Sequence, residues 1–401
     1  MHATEVLQEC LGKSLHAIHA LRSRVLMRAV EATIAGRRLP LIDLARAWPD
    51  AQRIRAPLKA LDRLLGNGHL HAEREHIHAA MVRWLVRSDQ PVIIVDWSDL
   101  KADGSWHLLR AAIPVGGRTL TVLDMVFPAG QQGSPKAEKQ FLHRLAAVLP
   151  EGVKPILVTD AGFRGPWFRA VEAMGWHWLG RLCNRTQLKP ADAPYDLDQW
   201  VPCKAMYEQY MGTTRDFGLM DVTRSAPFSA RVVLHGKPPQ GRKDRNRQGA
   251  PARNSNSRKS AKREREPWIL IASPGLELGM RQLVTLYARR MQIELSFRDL
   301  KSHRYGQGFE DSLTHKRARI EVLLLLSTLA AFATWLAGTA CEASGIDTWL
   351  TPYRSKRRLY SVIRLGREAL VRRWLPISVS RFLDHLRQPA ASLLDQLRVP
   401  A

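Results

Sequence analysis

Cysteine is scarce in this sequence. Its 401 residues include four cysteines, and these stand far apart at Cys10, Cys183, Cys203 and Cys341. Because no two of them form a Cys-x-x-Cys pair, their spacing indicates neither a zinc site nor a disulfide framework. We therefore expect a protein of a reducing compartment such as the cytoplasm.

Acidic residues are also in short supply. The sequence has 37 aspartates and glutamates against 61 lysines and arginines, which gives a formal net charge of +24. A chain this basic attracts polyanions. Nucleic-acid enzymes, ribosomal proteins and membrane-surface proteins share this property, so charge alone does not choose between them.

Long apolar runs are nearly absent. The one exception is VLLLLSTLAAFATWLAGTA, Val322 to Ala340, which approaches the length that spans a bilayer. Its serine and threonines and its many alanines favour a helix buried inside an α/β protein. Without a second such run, a polytopic membrane protein is excluded. The first residues, MHATEVLQECLGKSLHAIHALRS, also lack the apolar core of a signal peptide, and we expect no membrane attachment.

Among the few acids, Glu294 stands in an unusual setting. It lies in YARRMQIELSFRDLK, and on one continuous helix Tyr287, Arg290, Glu294 and Lys301 would share an arc of roughly 60°. The adjacent stripe is apolar and predicts the face that packs on a core; it comprises Leu286, Ile293, Phe297 and Leu300. The simplest alternative is a solvated helix face with an Arg290 to Glu294 pair.

Two aspartates upstream follow short runs typical of buried strands. PVIIVD ends on Asp96, and KPILVTD ends on Asp160. Two further strands, Trp106 to Val115 and Thr119 to Phe127, meet at a Gly-Gly hairpin signal. A helix then opens at Ser134-Pro135 and runs to about Leu149.

This order of elements brings the acids together. A helical crossover returns the chain parallel to an earlier strand, and the strand of Asp96 is the natural partner for that of Asp160. With Glu294 they would form a carboxylate triad of the ribonuclease H type. Three acids at one point require cations, and two Mg²⁺ (or Mn²⁺) ions about 3.5–4 Å apart could activate the attacking oxygen and stabilise the leaving oxygen of a phosphodiester.

The motifs resemble those of one family. VDWSD around Asp96, VTDAGF around Asp160, and Tyr, Arg, Glu and Lys spaced at i, i+3, i+7 and i+14 resemble bacterial insertion-sequence DDE transposases of the transposon-ten kind. The segment LDRLLGNGHLH, Leu61 to His71, resembles the family's N-terminal DNA-binding region. The likeness runs from about residue 50 to 310. It implies cut-and-paste transposition through DNA hairpins, with Tyr287, Arg290 and Lys301 holding phosphates.

The N-terminal part, residues 1–88, predicts a helical DNA-binding domain. Leucines repeat at helical spacing before Gly66-Asn67-Gly68, and basic residues stand nearby at Arg53, Arg55, Lys59 and Arg63. A merely solvated basic helix is the alternative. The neighbouring histidines have no cysteines or acids of a defined site beside them and do not indicate a metal site; they are His69, His71, His76 and His78.

The interval between Asp160 and Glu294 is too long for a bare ribonuclease H fold. We predict a catalytic core in residues 89–182 and 273–310, interrupted by a mostly β insertion in 183–272. Within the insertion, residues 238–266 are basic and nearly free of apolar side chains, which indicates a flexible, DNA-binding loop. Residues 311–401 predict a helical C-terminal region with a possible role in dimerisation. By the resemblance, Trp268 is the candidate for stacking on a flipped base, although a tryptophan that opens a strand is more often core.

The sequence thus predicts an α/β protein, a DNA transposase that acts on double-stranded terminal repeats and target DNA. We expect it in the cytoplasm, associated with the nucleoid, and as a homodimer on paired DNA ends. A ribonuclease H-like nuclease or junction resolvase would share the triad, and a non-catalytic nucleoid-binding protein would share the charge. Strand transfer discriminates the first alternative, and metal-dependent nicking the second.

Overall fold

The computed structural model describes residues 2–182, 186–191, 200–209, 212–236, 266–350, 359–372 and 383. By its internal contacts the chain divides into two compact units. The first comprises residues 1–155 and 290–393, and the second comprises 156–289 and 394–401. Residues 238–265 of the predicted loop 238–266 and much of the C-terminal tail lie outside the described residues. The boundaries of these two units differ from the domain boundaries that the sequence predicts. The predicted domains describe functional segments, and they stay a prediction.

The first unit opens with five helices, as the sequence predicts for residues 1–88. They are α1 (Ala3–Leu15), α2 (Ala20–Gly36), α3 (Leu41–Arg46), α4 (Arg55–Leu65) and α5 (Gly68–Leu85). Helix α4 ends at Gly66, where the basic helix was expected to stop. The next helix begins at once, because the Asn67 side chain accepts a hydrogen bond of 3.0 Å from the backbone N–H of Leu70.

Three antiparallel strands and a helix follow in the same unit. They are β1 (Val92–Asp99), β2 (Trp106–Pro114), β3 (Thr119–Pro128) and α6 (Pro135–Val148). Gly116 and Gly117 both have positive φ, the conformation that a tight hairpin between β2 and β3 requires. Helix α6 is capped by Ser134, as the Ser-Pro signal indicates. Most side chains of β2 and β3 are buried, so this hairpin lies in the core.

The second unit contains a mixed sheet. Its elements in chain order are β4 (Ile156–Thr159), α7 (Gly165–Ala173), β5 (His177–Arg181), β6 (Gln187–Pro190), β7 (Val201–Pro202), β8 (Arg215–Val222), β9 (Phe228–His235), β10 (Trp268–Ala272) and α8 (Met280–Ala288). Strands β4 and β5 are parallel, and the order continues β10, β9, β8, β6, β7. The described part of residues 183–272, the segment predicted to be a mostly β insertion, contains β6 to β10. Its role as an insertion in a catalytic core stays a prediction. Its last strand, β10, pairs antiparallel with β5 and so belongs to the same sheet.

Residues 290–350 and 359–372 return to the first unit and form four α-helices there. They are α9 (Met291–Lys301), α10 (Arg317–Ala343), α11 (Asp347–Leu350) and α12 (Val362–Arg372). Among the described residues, α10 alone is long and apolar enough to cross a membrane, and 83% of its most apolar stretch is buried. It packs against α1, α2, α4, α5, α12 and β3. The apolar run is therefore the central core helix of this unit.

Candidate active site

Asp96 lies on β1 and is 8% exposed. The preceding residues Val92 to Val95 are buried, as the apolar run predicts. The expectation that the strand ends on Asp96 is wrong, since β1 continues to Asp99. It continues because β2 supplies a partner for each further residue, and the Asp99 carboxylate lies 2.8 Å from Nδ1 of His107. Asp96 is thus held in mid-strand, opposite Arg110.

Helix α9 carries Glu294 and is bound to the β2–β3 hairpin along one face. The side chain of Gln292 accepts a hydrogen bond of 3.0 Å from the Gly117 N–H, and Ser296 Oγ accepts one of 2.9 Å from the Thr119 N–H. One turn further on, Asp299 forms an ion pair with Arg118. The apolar face is buried as predicted, with Ile293, Phe297 and Leu300 at most 6% exposed. Three polar anchors and a buried face fix the position of Glu294.

Arg290 joins the two acids of this unit. Its guanidinium donates a hydrogen bond of 3.2 Å to Oδ2 of Asp96 and forms a second ion pair with the Glu294 carboxylate. Arg290 and Asp96 are 194 residues apart in sequence, so the fold brings them together. The expected i,i+4 pair of Arg290 with Glu294 is present. It forms one part of a three-residue cluster that also contains Asp96.

The continuous helix expected from Tyr287 to Lys301 is wrong. Helix α8 ends at Ala288, and α9 begins at Met291. The residues between stay right-handed, but the Arg289 N–H bonds the Leu286 carbonyl and the Ile293 N–H bonds the Arg290 carbonyl, a tighter i+3 pattern. Each side of the break is anchored in its own unit. Neither Gly nor Pro marks the position, so the sequence gives no local signal for it.

Tyr287 lies in the second unit and is buried there. Its ring contacts Trp268 edge to face, with 5.0 Å between the ring centroids. Trp268 is 9% exposed and also packs against His235. This environment is that of core aromatics, and a stacking role for Trp268 toward a base requires that its ring become accessible.

Asp160 directly follows β4, as the sequence predicts. Its Oδ1 accepts a hydrogen bond of 2.7 Å from the backbone N–H of Gly162, so the carboxylate organises the turn after the strand. A Cβ at position 162 would lie 2.9 Å from that same oxygen, which explains the glycine. Asp160 belongs to the second unit, and its approach to Asp96 and Glu294 stays a prediction.

The donor chemistry of the acids fits a divalent cation. Within the described ranges, no group of three or more metal-ligating side chains is assembled. Asp96 and Glu294 nevertheless present carboxylate oxygens, the ligands that Mg²⁺ and Mn²⁺ prefer, to one positive centre. That centre is the Arg290 guanidinium. Because it pairs with both carboxylates, the electrostatic potential between Asp96 and Glu294 is negative and would attract a cation.

The remaining predicted DNA contacts are accessible to solvent to different degrees. Arg53, Arg55, Lys59 and Arg63 are all exposed, on α4 or just before it. Lys301 is half-buried in the last turn of α9. Of the four clustered histidines, His78 is buried. Burial lowers its pKa to about 4, so it is a neutral core residue at ordinary pH.

One functional support was missed by the sequence reasoning. Arg110 on β2 and Asp124 on β3 form a buried bidentate pair with two hydrogen bonds of 2.7 Å. Arg110 also lies 5.5 Å from the ring centroid of Phe297 on α9. A signal existed, because a single charge interrupts each of two paired apolar strands, HLLRAAI and TVLDMVF. A lone charge in such a strand is rarely buried without a partner.

Comparison with known proteins places this site in a family. The sequence profile described as "Transposase DDE domain" matches residues 87–333, well over half of the chain, and this range includes Asp96, Asp160 and Glu294. The chain therefore belongs to the transposase DDE domain family. A search of curated proteins finds no significant match.

A solved structure provides one further comparison. The chain is similar to a chain of the "piggyBac transposase synaptic complex with hairpin DNA", with a TM-score of 0.40 and 10% sequence identity. The matched region covers 88% of this chain and 66% of that one, so the chain spans just under two thirds of that structure's length.

Proposed function

We propose that this protein is a DNA transposase that cuts and pastes a bacterial insertion sequence with Asp96, Asp160 and Glu294. The single observation that supports it best is the convergence of Asp96 and Glu294 on Arg290. A deep strand and an anchored helix hold two carboxylates at one point, a geometry suited to binding cations beside a phosphodiester.

In this proposal the three acids hold two divalent cations, Mg²⁺ or Mn²⁺. Bound there, such ions would polarise the phosphate and stabilise the oxyanions of an in-line displacement. Asp96 is fixed by its strand, so it would act as the rigid ligand. Glu294 is the more exposed acid, with 44% of its side chain accessible, and lies on the solvent side of the pair.

The chemistry would proceed in steps that the family resemblance suggests. Water attacks the phosphorus at the transposon end, and the bond to the 3′ oxygen breaks. The freed 3′-hydroxyl then attacks the opposite strand and closes a hairpin, which is opened before strand transfer into target DNA. Arg290 is already poised at the acids and would hold a phosphate there, aided by Tyr287 and Lys301.

DNA would be held mainly by the basic parts of the chain. We assign end binding to residues 1–88 through the exposed Arg53, Arg55, Lys59 and Arg63, which can neutralise backbone phosphates. The catalytic core would be residues 89–182 with 273–310, the insertion 183–272 would carry Trp268 and the basic loop, and residues 311–401 would contribute to dimerisation. With this partner, we expect the protein to associate with the nucleoid.

Three amide substitutions test the active site. We expect Asp96→Asn, Asp160→Asn and Glu294→Gln each to abolish nicking of a labelled duplex that carries the inverted repeats flanking the coding frame, in Mg²⁺ or Mn²⁺. DNA affinity should stay within about twofold, because it depends mainly on phosphate neutralisation elsewhere.

Glu310→Gln is the matched control for these variants. It removes an exposed carboxylate from the same unit, and its nicking should equal that of the parent protein. Near-normal cleavage by any one of the three active-site variants would refute the triad. Cleavage without strand transfer by the parent protein would identify a nuclease instead.

A further inference from the structure

A cavity of about 390 Å³ lies in the first unit, and neither Asp96 nor Glu294 lines it. It is formed by α2, the β2–β3 hairpin, the last turn of α9 and the segment after it, α10 and α12. Among the described residues, two acids line it, Asp299 and Glu368. The arginines that line it are Arg37, Arg110, Arg118, Arg298, Arg364 and Arg367.

The acids of the cavity are already engaged. Asp299 is paired with Arg118, and Glu368 lies 3.4 Å from Arg367 and 3.7 Å from Arg372. Arg110 is paired with Asp124 outside the lining. An excess of positive charge therefore remains, and it comes from three elements of the fold.

The positive charges of the cavity act on each other. Burial and then the charge of Arg37 lower the pKa of Arg367, Glu368 opposes this shift, and Arg364 reinforces it. Two of the Arg367 guanidinium nitrogens donate to the carbonyls of Ile34 and Ala35, which holds its head in place. Because this guanidinium is fixed among like charges, an anion in the cavity would relieve their repulsion.

A buried hydroxyl provides an independent sign of a ligand. Thr328 on α10 lines the cavity and is 3% exposed. In the described part of the chain its Oγ1 is buried and has no hydrogen-bond partner. A buried hydroxyl without a hydrogen-bond partner destabilises the protein unless a polar group of a ligand bonds it.

Arg37 adds a second sign, from the backbone. It has φ of 54° at the end of α2, the left-handed conformation that normally selects glycine or asparagine. Arg37 also lines the cavity, so its positive charge is held there at a backbone conformation that is unfavourable for a long side chain.

We propose that this cavity binds a phosphate group of the DNA backbone. The choice of DNA as the ligand rests on the proposed function. The choice of a phosphate as the bound group rests on the residues that line the cavity. Arg37, Arg364 and Arg367 would contact the phosphate oxygens, and Thr328 would donate its hydroxyl. Arg298 lies one turn beyond Glu294 on α9, roughly 6 Å along the helix axis. A phosphate bound here would therefore position DNA relative to the acids.

The test uses the full-length protein without divalent metal, so its outcome does not depend on catalysis. The probes are inorganic phosphate, titrated calorimetrically against chloride at constant ionic strength, and a duplex bound at several salt concentrations. For Arg37→Gln/Arg364→Gln we expect phosphate affinity to fall more than about tenfold. The slope of log affinity for duplex against log salt should become shallower by about 1, because the neutralisation of one backbone phosphate is lost.

Arg372→Gln is the matched control. The substitution removes one positive charge from α12, as Arg364→Gln does, but Arg372 does not line the cavity. We therefore expect its phosphate affinity to stay within about twofold of that of the parent protein. Thr328→Val keeps the shape of the side chain and the fold. It should weaken phosphate binding about fivefold, while the melting temperature of the phosphate-free protein stays equal to that of the parent or rises, because an unpartnered buried hydroxyl is removed.

Two results would overturn the proposal. Phosphate affinity unchanged in the double variant or in Thr328→Val would show that the cavity is not a phosphate site. If the double variant loses phosphate binding but keeps the salt dependence of duplex binding, the ligand of the cavity is free phosphate and not DNA. Failure of the active-site proposal would instead show as retained nicking in the acid variants, a separate measurement.

Discussion

At the scale of single residues, Arg290 decides how the acidic pair is held. Its planar guanidinium bonds Asp96 and Glu294 at the same time. A lysine would offer one point charge and no such fork. The spacing of Arg290 and Glu294 in the sequence suggested that the two residues are neighbours. The involvement of Asp96 required the fold, because no local pattern reports a contact across 194 residues.

His78 carries a prediction about pH. Its pKa is about 4 in the folded protein, chiefly through burial, against about 6.5 when unfolded. Asp124 opposes this shift, and Arg74 and Arg110 reinforce it. The unfolded state therefore binds more protons between these two values, so the stability that depends on neutral His78 is complete above pH 6.5 and is lost as pH falls toward 4.

The comparison of parent and His78→Gln measures this effect. We expect the difference in their unfolding free energies to be constant above pH 7 and to change by up to about 3 kcal/mol in favour of the variant by pH 4. Melting curves of both proteins across this range provide the measurement. A difference independent of pH would mean that His78 is not buried in its neutral form.

At the scale of elements, α10 and α12 cross at a very short distance through two glycines. A Cβ at Gly366 would lie 1.7 Å from the Thr334 carbonyl oxygen, and one at Gly338 would lie 1.9 Å from that of Val362. Gly366→Ala should therefore force the helices apart and lower stability by about 1 to 3 kcal/mol. The melting temperature of the purified variant measures this loss.

Gly12→Ala is the control for that prediction. Gly12 lies inside α1, and a Cβ there meets no atom within 4 Å. The exchange should leave stability unchanged or raise it by up to about 1 kcal/mol, since alanine favours a helix. A Gly366→Ala protein that melts like Gly12→Ala would contradict the close crossing.

The elements also show where sequence reasoning succeeds and where it stops. Strand and helix types from β1 to β5 follow from β-branched runs, a Gly-Gly turn and a Ser-Pro cap, all local signals. The end of β1 differs from the prediction because the last three residues of the strand, up to Asp99, pair with β2. The apolar run that ends at Asp96 contains no signal of this pairing. The break before α9 could not be predicted, because neither Gly nor Pro stands at residues 289 and 290.

At the scale of the whole molecule, the net charge predicts the kind of partner, whereas the apolar run predicts an element of the fold. The net charge of +24 indicates a polyanionic partner but says nothing of the fold. The apolar run was correctly assigned to a buried helix, because one interrupted run in an otherwise polar chain is a core element. The compact units could not be inferred, since β10 follows a long polar segment and yet pairs with β5.

The last prediction concerns assembly and follows from the proposed chemistry. In the proposed reaction two DNA ends are joined to one target, and one set of Asp96, Asp160 and Glu294 would hold one scissile phosphate at a time. At least two active sites must therefore meet, and we expect a dimer formed on paired ends. Mixing a size-tagged Glu294→Gln protein with the active parent should give mixed complexes in which double-end cleavage is impaired.

The composition of those complexes supplies the control. Tagged parent protein mixed with untagged parent should cleave both ends at the full rate, because the tag itself removes no catalytic group. Mixed complexes with Glu294→Gln should stop after one end, since the defective site cannot bind its cations correctly. Complexes that contain a single protomer and still complete both cuts and strand transfer would refute the dimer, because one triad would then have served both ends in turn.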